Sequence, residues 1–338
     1  MYNIYYDNLS MNNFQLVLSF LLFFILSFFM SHFISWFISR RGKNSKITGI
    51  DVHKEDKPVI PEMGGFAVIG GLLAGFMTAI FFDTFVYDIF DEKAITAIVL
   101  VITIAGLIGI VDDIYVLPQW LKAILPMFIS APLVALMAVG ETTITIPFVG
   151  SIDFGILYVI LLIPLAITVC SNLTNMLAGF NGLETGLAII IYFGLMVLGI
   201  IKGNLILFLI TGIAFFSSLA FFLYNKYPAK IFPGDTGTLV YGSVIASSVI
   251  VANFESAGAI MMVLYYIDFF IKLLNGFPKS FCIYKDGKLY PETNRIRGLV
   301  DLILTYLGPM SEKRLVAFLL ILQLTVVLIT IVFFTFSY

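Results

Sequence analysis

The chain has 338 residues, 60% of them hydrophobic and 12% charged, with a mean hydropathy of +1.03. A water-soluble protein of this length cannot hide that much apolar surface, so an all-α polytopic membrane protein is expected, one integral-membrane domain over 1–338 with no nucleic-acid partner. The net charge of −2 decides little by itself, and Cys170 and Cys282 form neither a disulfide framework nor a metal motif.

At about 20 residues per crossing, ten spans are predicted near 12–39, 64–82, 94–112, 121–139, 154–171, 185–201, 204–223, 237–253, 256–274 and 313–337. No Lys or Arg precedes the first run, which is also too long for a signal-peptide core, so it is expected to remain as a span. Of the 19 basic residues, all but Lys93 and Lys202 fall on one side of this scheme. The positive-inside rule makes that side cytoplasmic, and an even number of spans puts both termini outside. The cytoplasmic loops are then 40–63, 113–121, 172–184, 224–236 and 275–312. On the outer side, Glu141 to Asp153 alternates and is rich in β-branched residues around Pro147 and Gly150, which suits a small β-hairpin or an irregular loop. Trp36 and Trp120 suit the interfacial aromatic belt, and no internal repeat stands out.

The unusual polar residues gather on the basic side. After the first span, Pro58 and Pro61 stiffen the approach to Gly64-Gly65, where the second helix opens. Glu62 beside them is a candidate acceptor for a ligand edge, or part of an ordinary charged juxtamembrane loop. In Gly106-Leu-Ile-Gly-Ile-Val-Asp-Asp-Ile-Tyr-Val-Leu-Pro-Gln-Trp-Leu-Lys122 an apolar run ends in Asp112 and Asp113, with Lys122 nine residues further on. Ionised groups at the edge of a membrane span are expensive, and the negative end of the helix dipole disfavours a carboxylate pair there. A positive partner is therefore required: Lys122, a divalent metal, or both.

After the fifth span, Asn172-Leu-Thr-Asn-Met-Leu-Ala-Gly-Phe-Asn-Gly-Leu-Glu-Thr-Gly186 places Asn172 and Asn175 on one helical face. Carboxamides offer metal-ligand oxygens and hydrogen-bond donors, and Gly179, Gly182 and Gly186 let backbone approach a bound group. The bland alternative is a polar turn with capping asparagines. Phe232-Pro-Gly-Asp-Thr-Gly237 precedes the eighth span; Asp235 and Thr236 sit where an N-cap belongs, or where a helix N-terminus meets phosphate and its Mg²⁺. The loop 275–310 carries Lys279, Lys285, Lys288, Arg295 and Arg297, suited to anionic headgroups or to gripping a diphosphate. Asp268 and Lys272 are spaced for an i,i+4 ion pair. His32 and His53 have no companion ligands in sequence and are assigned no metal. Oxygen ligands without a His/Cys cluster point to Mg²⁺ or Mn²⁺, and Mg²⁺ with glycines and basic groups to a phosphate or diphosphate substrate.

These motifs, in this order and over nearly the whole chain, resemble the polyprenyl-phosphate N-acetylhexosamine-1-phosphate transferases; the asparagine motif is most similar to the dolichol branch. The resemblance implies Asn175 and Asp235 as metal ligands, Lys122 as a phosphate-orienting cation, and Asp112 and Asp113 as catalytic carboxylates. It places Asn181 and Glu62 near the nucleoside, and extends a substrate-binding role to Asn172, Gly179 and Phe232. Val116 stands where the family often has Asp or Asn, and the last cytoplasmic loop has no histidine, which argues against a peptide-bearing MurNAc substrate. That loop also lacks the Arg/His cluster of the dolichol branch, so the diphosphate grip falls to Lys279, Arg295 or Arg297. The implied reaction is Mg²⁺-dependent transfer of GlcNAc-1-phosphate from UDP-GlcNAc to dolichyl or another polyprenyl phosphate, in a possible homodimer, at the endoplasmic reticulum of a eukaryote or the plasma membrane of an archaeon. The rival from another class is a secondary transporter. It expects charges at the bilayer midplane, whereas here they gather at one interface.

Overall fold

The computed structural model describes residues 13–42, 45, 47–115, 117–278, 282–293 and 295–337; Lys43, Lys46, Val116 and Lys279 lie outside these residues. Helix α1 (Asn13–Arg41) leads to a short hairpin, β1 (Thr48–Ile50) with β2 (Val59–Pro61), and then to α2 (Gly64–Phe85) and α3 (Glu92–Tyr115). Beyond α3 the stretch 119–135 is broken into α4 (Gln119–Ile124), a 3₁₀ segment (Leu125–Ser130) and α5 (Ala131–Ala135). Pro126 and Pro132 each stand at the start of a new piece, where the missing N–H costs nothing. The predicted hairpin is present as β3 (Thr143–Ile146) paired antiparallel with β4 (Gly150–Asp153).

Five further long elements follow: α6 (Ile163–Met176), α7 (Leu183–Lys202), α8 (Leu205–Asn225), α9 (Gly234–Ala252), and α10 (Glu255–Met261) with α11 (Val263–Leu274), which are bent by 61° at their junction. The small hairpin β5 (Ile283–Lys285) and β6 (Lys288–Tyr290), the short α12 (Leu299–Leu307) and the long α13 (Glu312–Ser337) complete the chain. Among the described residues eight helices are long and apolar enough to cross a membrane, or nine with the bent pair. Of the ten spans expected, the ninth is the bent pair and the fourth is the broken stretch 119–135. It still carries the chain across the bundle. Lys122 touches Asp235 at the start of α9, whereas the Glu141 N–H donates to Asn253 Oδ1 at its far end.

Helix α9 is the axis. Of its apolar window 94% is buried, against 33% for α1 and for α13, and its mean hydropathy of 1.3 is the lowest of the eight helices. A helix surrounded by protein has no lipid to match, so it can carry small polar residues that let neighbours come close. Ser243 Oγ meets Ser171 Oγ at 2.9 Å, and Thr174 Oγ1 donates to the Thr238 carbonyl at 2.8 Å, which seals α6 onto α9. Buried Ser27 and Ser31 of α1 donate in the same way to the Ile213 and Ser217 carbonyls of α8.

Candidate active site

The aspartate pair at the end of α3 meets the first turn of α9. Asp113 Oδ1 accepts the Asp235 N–H at 2.6 Å, and its Oδ2 accepts the Thr236 N–H at 3.2 Å and the Thr236 hydroxyl at 2.6 Å. The N-cap position of α9 is Pro233 and has no side-chain cap, so the capping expected of Asp235 or Thr236 is done instead by Asp113, which satisfies the orphan donors and leaves Asp235 to pair with Lys122. Close approach makes this possible. A Cβ on Gly109 would lie 2.3 Å from Thr236 Cα, and Gly234, at φ +68°, packs against the Asp113 carboxylate. The buried Asp112 faces the other way, accepting the Leu117 N–H at 3.0 Å and pairing with Lys122 Nζ at 2.8 Å. Lys122 also reaches Asp235 Oδ2 at 3.0 Å, so one ammonium joins the α3 and α9 carboxylates.

The N-terminus of α2 docks on the same turn. Gly64 and Gly65 donate to the carbonyls of Phe232 and Pro233, and the Phe232 N–H donates to Pro61. Phe232 thus braces the Glu62 loop against α9. The Glu62 carboxyl is pushed above the usual carboxylate range, chiefly by burial and then by the negative charges of Asp113 and Asp235. Glu62 therefore belongs to the acidic cluster. Asn172 donates to the Thr168 and Ala123 carbonyls, which ties α6 to the helix carrying Lys122. Half-buried Asn175 adjoins Thr174, the residue bonded to α9 one turn beyond Asp235. The Gly179 N–H donates to Glu184 Oε1, and Gly179 itself is exposed at φ +108°.

Asn181 is engaged elsewhere. Its N–H donates to Glu312, its Nδ2 to Asp51 at 3.1 Å, and its Oδ1 accepts from Ala229 at 2.7 Å, so a buried carboxamide ties four segments together. The same knot corrects the reading of His53 as lacking companions: Asp51, His53 and Glu312 bring ligand atoms within 4.8 Å of one another. Lys54 is ion-paired to Asp51 and hydrogen-bonded to Glu312, so two of the three candidate ligands already share a positive charge. His53 stacks on Phe180 with ring centroids 4.6 Å apart, and burial lowers its pKa to about 4. Asp51, His53 and Lys54 are neighbours in the sequence, and only the third dimension brings Glu312 to them. Arg297 pairs with Glu292 at 2.6 Å and with buried Asp301 at 3.4 Å, whereas Arg295 is exposed. Lys285 lines a polar cavity of about 590 Å³ with Lys54 and Lys57.

Glu62, Asp112, Asp113 and Asp235 thus converge with Lys122 as the only ammonium ion-paired to the group among the described residues. Asp113 and Asp235 add to the burial that raises the Glu62 pKa. An all-oxygen donor set with unbalanced charge fits Mg²⁺ or Mn²⁺ and not zinc. Around it lie the N-termini of α2 and α9, whose first N–H groups are bonded to the Phe232 and Pro233 carbonyls and to Asp113, so the cation nearest a bound phosphate is Lys122.

The profile of Glycosyl transferase family 4 matches residues 95–253, from α3 to the end of α9. A Saccharolobus solfataricus protein, provisionally named a UDP-N-acetylglucosamine–dolichyl-phosphate N-acetylglucosaminephosphotransferase, is 40% identical over 240 residues, 70% of this chain and 73% of the relative. The Dictyostelium discoideum protein of the same name is 30% identical over 336 residues, 82% of this chain and 79% of the relative. The phospho-N-acetylmuramoyl-pentapeptide-transferase of Staphylococcus carnosus is 33% identical over a shorter 207 residues, 56% of this chain. With its aspartate pair, asparagine motif and α9 turn assembled at one end of the bundle, the chain belongs to glycosyl transferase family 4, among the polyprenyl-phosphate N-acetylhexosamine-1-phosphate transferases.

Proposed function

We propose that the chain transfers GlcNAc-1-phosphate from UDP-GlcNAc to dolichyl or a related polyprenyl phosphate, forming polyprenyl-diphospho-GlcNAc and releasing UMP. An oxygen of the lipid phosphate attacks the β-phosphorus, the bond from that phosphorus to the bridging oxygen breaks, and UMP departs with the electron pair. The observation that carries this reading is the Lys122 bridge between Asp112 and Asp235 at the N-terminal end of α9. Asp235 and Asn175 would hold Mg²⁺, with Glu62 adding negative charge beside them. When bound, the ion offsets charge on the diphosphate as the in-line displacement proceeds.

The chain's own groups have separable tasks. Lys122 orients phosphate oxygens and is held in place by Asp112. Asp113 fixes the backbone from which Asp235 projects, so it acts as a positioning group. A strong base is not required, because a phosphate monoester with a second pKa of about 6 is mostly dianionic at neutral pH. Among the candidates of the last loop Arg297 is committed to Glu292 and Asp301, so the diphosphate grip would fall to Arg295 or to Lys279. The site faces the cytoplasm and both termini lie outside, in keeping with the basic residues of 40–63 and 275–314. The test is UMP release from UDP-GlcNAc by the purified full chain with dolichyl phosphate, with and without Mg²⁺. Release that EDTA abolishes and Mg²⁺ restores is expected; no release with any polyprenyl phosphate would overturn the assignment.

A further inference from the structure

We infer that Asp268 and Lys272 form a positioning pair that sets the last turn of α6, and Asn175 with it, for metal binding. This rests on the reading of Asn175 and Asp235 as the metal ligands. The two side chains form the expected i,i+4 pair, with Lys272 Nζ 2.7 Å from Asp268 Oδ2. Each also reaches a different segment. Lys272 Nζ donates to the Met176 carbonyl at 2.5 Å, and Asp268 Oδ1 accepts the Leu299 N–H at 2.9 Å.

Met176 is the last residue of α6, and the final carbonyls of a helix have no donor within it. An ammonium there answers both the orphan acceptor and the negative end of the dipole. Asn175 is consequently held from both sides, through Thr174 to the Thr238 carbonyl on α9 and through Met176 to Lys272 on α11. The side chains of Lys272 and Asp268 are 12% and 3% exposed, so the pair is little screened by water. A pair serving α11 alone has no use for these two outward bonds. Through Asp268 the same pair fixes the start of α12, where the loop bearing Arg295 ends.

The experiment compares Lys272→Met, which keeps the packing but donates nothing, with Lys272→Arg, which keeps charge and donor. Mg²⁺ dependence of UMP release is measured on purified full chain, together with the thermal shift that Mn²⁺ alone induces without substrate. Partners that orient metal ligands are worth on the order of tenfold in metal affinity. In Lys272→Met the half-saturating Mg²⁺ concentration should therefore rise about tenfold while kcat at saturating Mg²⁺ changes little. The Mn²⁺-induced shift should need correspondingly more metal, and Lys272→Arg should restore both. A kcat loss with unchanged Mg²⁺ dependence, or a Lys272→Met protein that behaves as wild type, overturns the inference. If Lys272→Met does not fold, Asp268→Asn keeps an acceptor for Leu299 and removes the charge orienting Lys272; an unaltered metal response there overturns it equally. A wild-type protein that releases no UMP condemns the proposed function instead, and the Mn²⁺ shift still reads the positioning pair.

Discussion

Asp113→Asn separates positioning from acid–base chemistry. In the wild type Asp113 accepts from Asp235 N, Thr236 N and Thr236 Oγ1 at 2.6, 3.2 and 2.6 Å. A carboxamide keeps one acceptor oxygen. Turned toward Asp235 N, it sets its NH₂ against the Thr236 N–H, while the hydroxyl can rotate and accept. One bond is lost outright and the others lose charge assistance. With bonds to charged groups at about 1.5–3 kcal/mol each and partial relief from solvent, the net cost is about 2–4 kcal/mol. If that cost falls on the transition state, kcat/KM drops about 30- to 1000-fold, at roughly 1.4 kcal/mol per tenfold. The assay is UMP release across pH 6 to 9. The expected profile is lowered without change of shape, with a raised Mg²⁺ requirement. A near-normal rate would refute the capping account, and a profile that loses one limb would show that Asp113 itself carries the proton.

Three further outcomes are expected. Thr236→Val removes one of the three donors at a fully buried site, and its rate should fall by about tenfold, less than that of Asp113→Asn, with Tm little altered. Gly109→Ala would place a methyl 2.3 Å from Thr236 Cα, and parting α3 from α9 should cost about 1–3 kcal/mol in thermal unfolding and most of the activity; a stable, active variant would show that the helices have slack. His53 has its pKa lowered to about 4, so between the unfolded value of 6.5 and that point the unfolded chain binds more protons. Stability should fall as pH drops through this window, by about 2 kcal/mol at pH 5. His53→Phe, which keeps the stack on Phe180, should flatten the dependence of Tm on pH in detergent, and an unchanged slope would remove His53 as its source.

Hydropathy made the membrane class and most crossings legible, because length of apolar sequence is what a bilayer demands of a helix. It could not show breaks. Pro126 and Pro132 mark those in 119–135, but the 61° bend at Met262 has no proline or glycine at its apex, and at the break Gln323 Nε2 donates to the Met261 carbonyl. The aspartate pair was legible as costly charge, yet its two roles were not: Asp113 finds its partners 122 and 123 residues away, and which carboxylate caps α9 depends on helices meeting in space. Asn181 has the residue type of a ligand contact, and its bonds to Asp51, Ala229 and Glu312, 48 to 131 residues away, could not be read from spacing. His53 looked solitary for the same reason, since Glu312 approaches it from the far end of the chain.

The near-complete enclosure of α9 has a consequence for how the enzyme meets different membranes. Thickness mismatch acts on lipid-facing helices, which tilt or stretch the bilayer around them. Here that load falls most on α1 and α13 and in part on α2, α3 and α6, while the helix bearing Asp235 touches almost nothing but protein. Asp235 is thereby shielded from changes in bilayer thickness, which reach the proposed site through α3 and the stretch 119–135 that carry Asp112, Asp113 and Lys122. Lipids of different chain length should therefore act on turnover by shifting these groups against a fixed α9.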